Sequence, residues 1–105
     1  MGKFRIKAEI QKSKDGNMYL HIGQNVLINE NRIVGIFDFD QASSSRSSLQ
    51  YLQQAEKEHV VISVGDEAPR SFIVCSHPYH RQIVYFSQLS PATLLKRIEG
   101  GGLEE

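Results

Sequence analysis

Three apolar runs in the second half of the chain constrain the fold most. Val60–Val64 (VVISV), Ser71–Cys75 (SFIVC) and Gln82–Phe86 (QIVYF) are rich in β-branched and aromatic side chains. Turn-forming segments separate them, Gly65–Pro69 and His77-Pro78-Tyr79-His80. Short apolar runs of this composition, bounded by Gly and Pro, are strand signals. Their order reads as an antiparallel set. Upstream, Tyr19–Ile22, Val26–Ile28 and Arg32–Phe37 are strand-like and are joined by Gly23-Gln24-Asn25 and Asn29-Glu30-Asn31. Lys3–Gln11 alternates, with Phe4, Ile6, Ala8 and Ile10 on one face, which is the period of a half-buried strand.

Two stretches carry helical spacing instead. After a serine-rich loop over 40–48, Leu49, Leu52 and Ala55 recur every three residues, so a helix is predicted to about Glu58. Ser47 and Gln50 have capping-box spacing at its start. Ser90-Pro91 opens a second helix, with Ser as N-cap and Pro at the first helical position. Leu94, Leu95 and Ile98 give it an apolar face, and Gly100-Gly101-Gly102 ends it. The fold class is α+β: a small antiparallel or mixed sheet of about six strands with two helices.

At 105 residues this is one domain. A regulatory domain over 18–99 is expected, between a basic N-terminal extension over 1–17 and a flexible tail over 100–105. Met18 could be the natural start, or the extension could add a strand. No apolar run approaches the ~20 residues of a membrane span. The N-terminus has no apolar signal core, and the single cysteine, Cys75, suits a reducing compartment, so a cytoplasmic location is expected. Net charge is zero but uneven: Lys3, Arg5, Lys7, Lys12 and Lys14 precede Met18, against only Glu9 and Asp15. Nucleic-acid affinity would therefore have to come from local clusters of basic groups.

No catalytic constellation is legible. Asp38 and Asp40 share a side of the chain, but no further ligand or third catalytic group stands near them in sequence. His77 and His80 have H-x-x-H spacing without a zinc framework around it. Cys75 lies in an apolar run and reads as a core thiol. The serines at 43–45, 47 and 48 lack an elbow or a base. Phosphate-loop and dinucleotide fingerprints are missing. These residues predict a protein that is not an enzyme and uses no cofactor or metal. The basic residues at element junctions remain: Arg32, Arg46, Arg70, Lys96 and Arg97. Arginines so placed suit phosphate contacts, and a homo-oligomer would sum many weak ones.

Three separated motifs occur in order: MYLHIG from Met18, RIVGIFDFD from Arg32, and SQLSPATLLKR ending at Arg97. In this combination the chain resembles the Rem family of bacterial extracellular-matrix (biofilm) regulators, in particular its RemB branch. The resemblance covers Met18 to about Arg97. It implies a cytoplasmic protein of mainly spore-forming, Gram-positive-type bacteria. The related RemA branch implies a transcriptional activator of matrix genes that binds double-stranded DNA and assembles as a ring. It also implies DNA contact through an arginine at the position of Arg32. The family's adjacent arginines in a later turn find only Arg70 here, because that turn reads Gly65-Asp66-Glu67-Ala68-Pro69-Arg70. Two readings stand. One is a homo-oligomeric binder of the DNA backbone acting through Arg32 and Arg70, aided by Arg46, Lys96 and Arg97. The other is a protein-interaction or assembly module of a regulatory complex, without direct DNA contact.

Overall fold

The computed structural model describes residues 10–12 and 18–100. The expected strand over Lys3–Gln11 therefore lies mostly outside the described residues, as do the polar turn that follows it and the tail. Strands β1 (Ile10–Lys12), β2 (Met18–His21) and β3 (Leu27–Asn29) form a three-stranded antiparallel sheet in that order. Leu20 stands opposite Ile10 on one side and Ile28 on the other. Gly23, Gln24 and Asn25 all have positive φ in the β2–β3 turn, and Val26 donates its N–H back to the Gly23 carbonyl at 2.8 Å.

A single 3-10 turn, Glu30–Arg32, leads into β4 (Ile33–Asp38). Two helices follow, α1 (Phe39–Ser43) and α2 (Arg46–Lys57), then β5 (Val61–Ser63), β6 (Ser71–Ser76), β7 (Gln82–Ser87) and α3 (Pro91–Gly100). The second sheet has the order β4-β6-β7-β5. Strand β6 pairs antiparallel with both β4 and β7, but β5 runs parallel to β7. This corrects the expectation of an antiparallel set. A parallel return needs a long crossover, and α1 and α2 supply one, so β5 starts in the same direction as β4. The α+β class stands, with its strands divided between two sheets and α1 as a further short helix.

That helix forms where the sequence read as a loop. The carboxylate of Asp38 accepts from the Gln41 N–H at 3.0 Å and caps α1. Asp38 is thus both the last residue of β4 and the N-cap of α1. Helix α2 likewise starts two residues earlier than its spacing suggests, because Ser45, not Ser47, takes the Ser48 N–H. The cap of α3 is as expected: Ser90 Oγ accepts from the Thr93 N–H at 3.1 Å. Ser90→Ala is expected to cost about 1 kcal/mol, the usual value of such a cap, read as a lower urea midpoint. A midpoint equal to that of the unaltered protein would show that α3 is held by packing alone.

The four-stranded sheet has a core on each face. Phe72, Val74, Val84 and Phe86 pack with Ala42, Leu52 and Ala55 beneath α1 and α2. Ile73 and Cys75 point the other way, into a cluster with Leu20, Ile22, Ile28 and Leu94 beneath α3 and the smaller sheet. Both faces of β6 are covered, which is why SFIVC is apolar throughout rather than alternating. Cys75 is buried, and burial pushes its thiol up to about 11. That disfavours the reactive thiolate, as expected of a core cysteine.

Candidate nucleic-acid interface

Arg32 is the last residue of the 3-10 turn, and short-range bonds fix its backbone. Asn29 Oδ1 accepts from the Asn31 N–H at 2.9 Å, and the Ile33 N–H donates to the Glu30 carbonyl. Ser76 Oγ, at the far end of β6, donates to the Arg32 carbonyl at 3.4 Å. The side chain itself is exposed. A guanidinium on a backbone so constrained has less conformational freedom to lose on meeting a phosphate.

Arg70 has an equally fixed backbone in a different place. Its N–H donates to the Ser87 carbonyl at 2.8 Å, and its carbonyl accepts from the Phe39 N–H at 3.0 Å. It precedes β6, whereas Arg32 faces the end of β6. The two arginines therefore occupy opposite ends of the β4–β6 pair, six residues of strand apart, or roughly 20 Å at 3.3 Å per residue. One chain does not converge them on a single phosphate.

The Arg70 end is also acidic. Asp38 ends β4, Asp40 lies in the first turn of α1, and the exposed Asp66 and Glu67 follow β5, which runs in the same direction as β4. That turn is rigid. Gly65 has φ +90°, and a Cβ there would run into the Gln88 carboxamide. Oriented with its oxygen inward, Gln88 accepts from the N–H groups of Asp66 at 3.0 Å and Glu67 at 2.7 Å.

The remaining candidates differ in availability. Arg46 is the exposed first residue of α2, and Lys96 is exposed on α3. Arg97 is partly buried, and its Nη1 donates to the His21 carbonyl at 2.9 Å, tying α3 to the end of β2. It has a structural task that the sequence did not disclose. Arg81 is absent from the sequence-based candidates, although it directly follows the HPYH turn. It is exposed and, with His80, Gln82, Tyr51, Gln54 and Glu58, lines a cleft of about 520 Å³ between α2 and that turn.

His77 and His80 stand with ring centroids 4.9 Å apart, and the His77 ring accepts the Tyr79 N–H at 3.1 Å. Among the described residues, no group of three or more His, Cys, Asp or Glu side chains is placed to hold a metal ion. Among them, too, no helix is long and apolar enough to cross a membrane.

Residues 19–98 match a family model described as RemA-like, extracellular matrix regulatory protein A-like. The chain is also similar to the extracellular matrix regulatory protein B of Bacillus subtilis (strain 168). Identity is 34% over 82 residues, covering 78% of this chain and 91% of that protein.

Proposed function

Because the chain belongs to the RemA-like family of extracellular matrix regulatory proteins, we propose that it is a cytoplasmic transcriptional regulator of matrix genes. In this reading it acts as a homo-oligomer on the backbone of double-stranded DNA. The observation that carries this reading is Arg32, an exposed guanidinium on a backbone held by its own 3-10 turn and by Ser76. With Arg70 at the opposite end of the sheet, a lone subunit offers separated phosphate contacts. Repetition of Arg32 across an assembly, with Arg46 and Lys96 as accessory charges, would raise affinity by summing them. Among its described residues, helix α3 exposes only Ala92, Leu95, Lys96 and Glu99, which makes it a poor reader of bases, and in this reading selectivity rests on DNA shape and repeated sites.

The test is retardation of duplex DNA at ~50 mM salt, where backbone contacts are strongest. Arg32→Ala is expected to weaken binding at least tenfold, and raising the salt to do the same to the unaltered protein. The basic residues before Met18 are common to both chains, so they cannot produce the difference. An oligomeric sample that retards no DNA at low salt would sink this reading.

A second reading is favoured by the acidic turn. Asp66 and Glu67 precede Arg70 in an exposed turn, where they would repel phosphate. If DNA retardation fails, the protein is an assembly module whose partners are proteins.

A further inference from the structure

Tyr51, Gln54, Ala55 and Glu58 lie three and four residues apart, so they share one face at the C-terminal half of α2. That face is one wall of the cleft of about 520 Å³, and His80, Arg81 and Gln82 form the other. The floor is apolar, since Ala55 and Val60 belong to the core. A concavity of this size, with an apolar floor and a few polar groups around it, is the usual form of a small-molecule site. Arg32, Arg46, Arg70, Lys96 and Arg97 are not among its lining residues.

The walls are tied together. Tyr51 Oη donates to Gln82 Oε1 at 2.5 Å, which joins α2 to the start of β7, and Gln54 Nε2 donates to Glu58 Oε2 at 2.9 Å. Burial, and then the Glu58 carboxylate, push the Tyr51 hydroxyl up, so it remains a donor. Arg81 differs. Among the described residues its guanidinium has no hydrogen bond and no ion pair, although it shares the cleft with the Glu58 carboxylate.

Charge and spacing indicate the ligand. One carboxylate and one guanidinium balance, so a polyphosphate would be repelled by Glu58 as much as it is drawn by Arg81. Glu58 and His80 are too few to hold a metal ion. Opposite charges kept apart in one cleft match a ligand that carries opposite charges apart. Arg81 adjoins Gln82, which is bonded to Tyr51, and Glu58 lies seven residues further along α2, or about 10 Å at 1.5 Å per residue. A single amino acid carries both charges on one carbon. Two or three linked residues, at about 3.5 Å each, bridge such a gap. Glu58 also caps the C-terminus of α2, where the helix dipole favours a cation.

We propose that this cleft binds a short peptide with free termini, two or three residues long, with its ammonium group at Glu58 and its terminal carboxylate at Arg81 and His80. Its apolar side chains cover Ala55 and Val60. The Gln82 carboxamide nitrogen, not used in the Tyr51 bond, donates to a carbonyl of the peptide. The guanidinium meets the carboxylate as a fork, the geometry that suits arginine best.

The experiment is calorimetric titration of the full chain with L-alanyl-L-leucine. One-to-one saturation is expected, with a Kd at or below ~1 mM. Acetylating the peptide's amino group or amidating its carboxylate is expected to weaken binding at least about tenfold, the scale of one charged hydrogen bond. Free L-leucine, too short to reach both charges, is expected to bind at least about tenfold more weakly as well. Arg81→Gln should remove the difference between the peptide and its amide, and Glu58→Gln the difference between the peptide and its acetylated form. Both side chains are exposed, and an unchanged circular dichroism spectrum establishes that each variant is folded. Glu99→Gln, exposed on α3 and outside the cleft, should change nothing. Absence of saturation well above the millimolar range, or equal affinity for the free and blocked peptides, would overturn the site. So would a discrimination between them that survives in both variants. No DNA is present and Arg32 is not in the cleft, so failure here leaves the DNA reading intact, and failure of DNA retardation leaves this site intact.

Discussion

Ile73→Ala is expected to cost about 3–4 kcal/mol of folding stability, the usual range for emptying a closed aliphatic site. Ile73 is fully buried on β6. It stands in register between Ile36 on β4 and Tyr85 on β7, and it packs with Leu20, Ile22 and Leu94. One side chain thus joins both sheets and α3, and few neighbours are free to collapse into the space it would leave. For a domain of this size the loss corresponds to a fall in Tm of more than about 10 °C. Ile73→Val, which removes one methyl group, should cost about 1 kcal/mol. Urea unfolding followed by circular dichroism measures both. A loss below about 1 kcal/mol for the alanine variant would mean that the smaller sheet and α3 do not fold as one unit with the larger sheet. Arg32 and Arg70 are fixed at the two ends of the β4–β6 pair, so the same variant should loosen both.

Gly65→Ala should be the next most damaging single change, at about 2–3 kcal/mol, because two costs coincide. The backbone has φ +90°, a conformation that charges an L-residue about 1–3 kcal/mol. The new methyl group would also displace the Gln88 carboxamide from the N–H groups of Asp66 and Glu67. Gln88→Ala keeps the glycine and loses only those bonds, so it should cost less, about 1–2 kcal/mol. Equal losses in the two variants would assign the whole effect to Gln88 and none to the backbone. If Asp66 and Glu67 oppose DNA, loosening their turn should not weaken retardation at low salt. A parallel loss of DNA binding would instead give the turn a positive part in the contact.

Much of the fold was legible because its signals are local. The β-branched runs of β6 and β7 mark strands wherever they occur. Ser90-Pro91 marks a helix start because its hydroxyl and missing N–H suit that position alone. Errors arose where several local solutions compete. Asp38 and Ser45 cap helices in a stretch that also reads as loop, since short polar side chains bond to nearby backbone in either state. The direction of β5 had no local signal, because a three-residue strand looks the same whether its neighbour runs with it or against it.

The candidate site divides in the same way. The sequence by itself determined which side chains carry charge and that Arg32 and Arg70 flank strands. It also determined that one turn between strands holds two acids. Caps, turns and apolar periods are properties of neighbours along the chain, so they can be read there. Only the tertiary structure decided that the two arginines lie at opposite ends of the β4–β6 pair, that Arg97 is bonded to the His21 carbonyl, and that β4 is an edge of its sheet among the described residues. Those facts depend on strand order and on the α1–α2 crossover. The crossover places residues far apart in sequence by packing both faces of one sheet, and no short window of sequence encodes it.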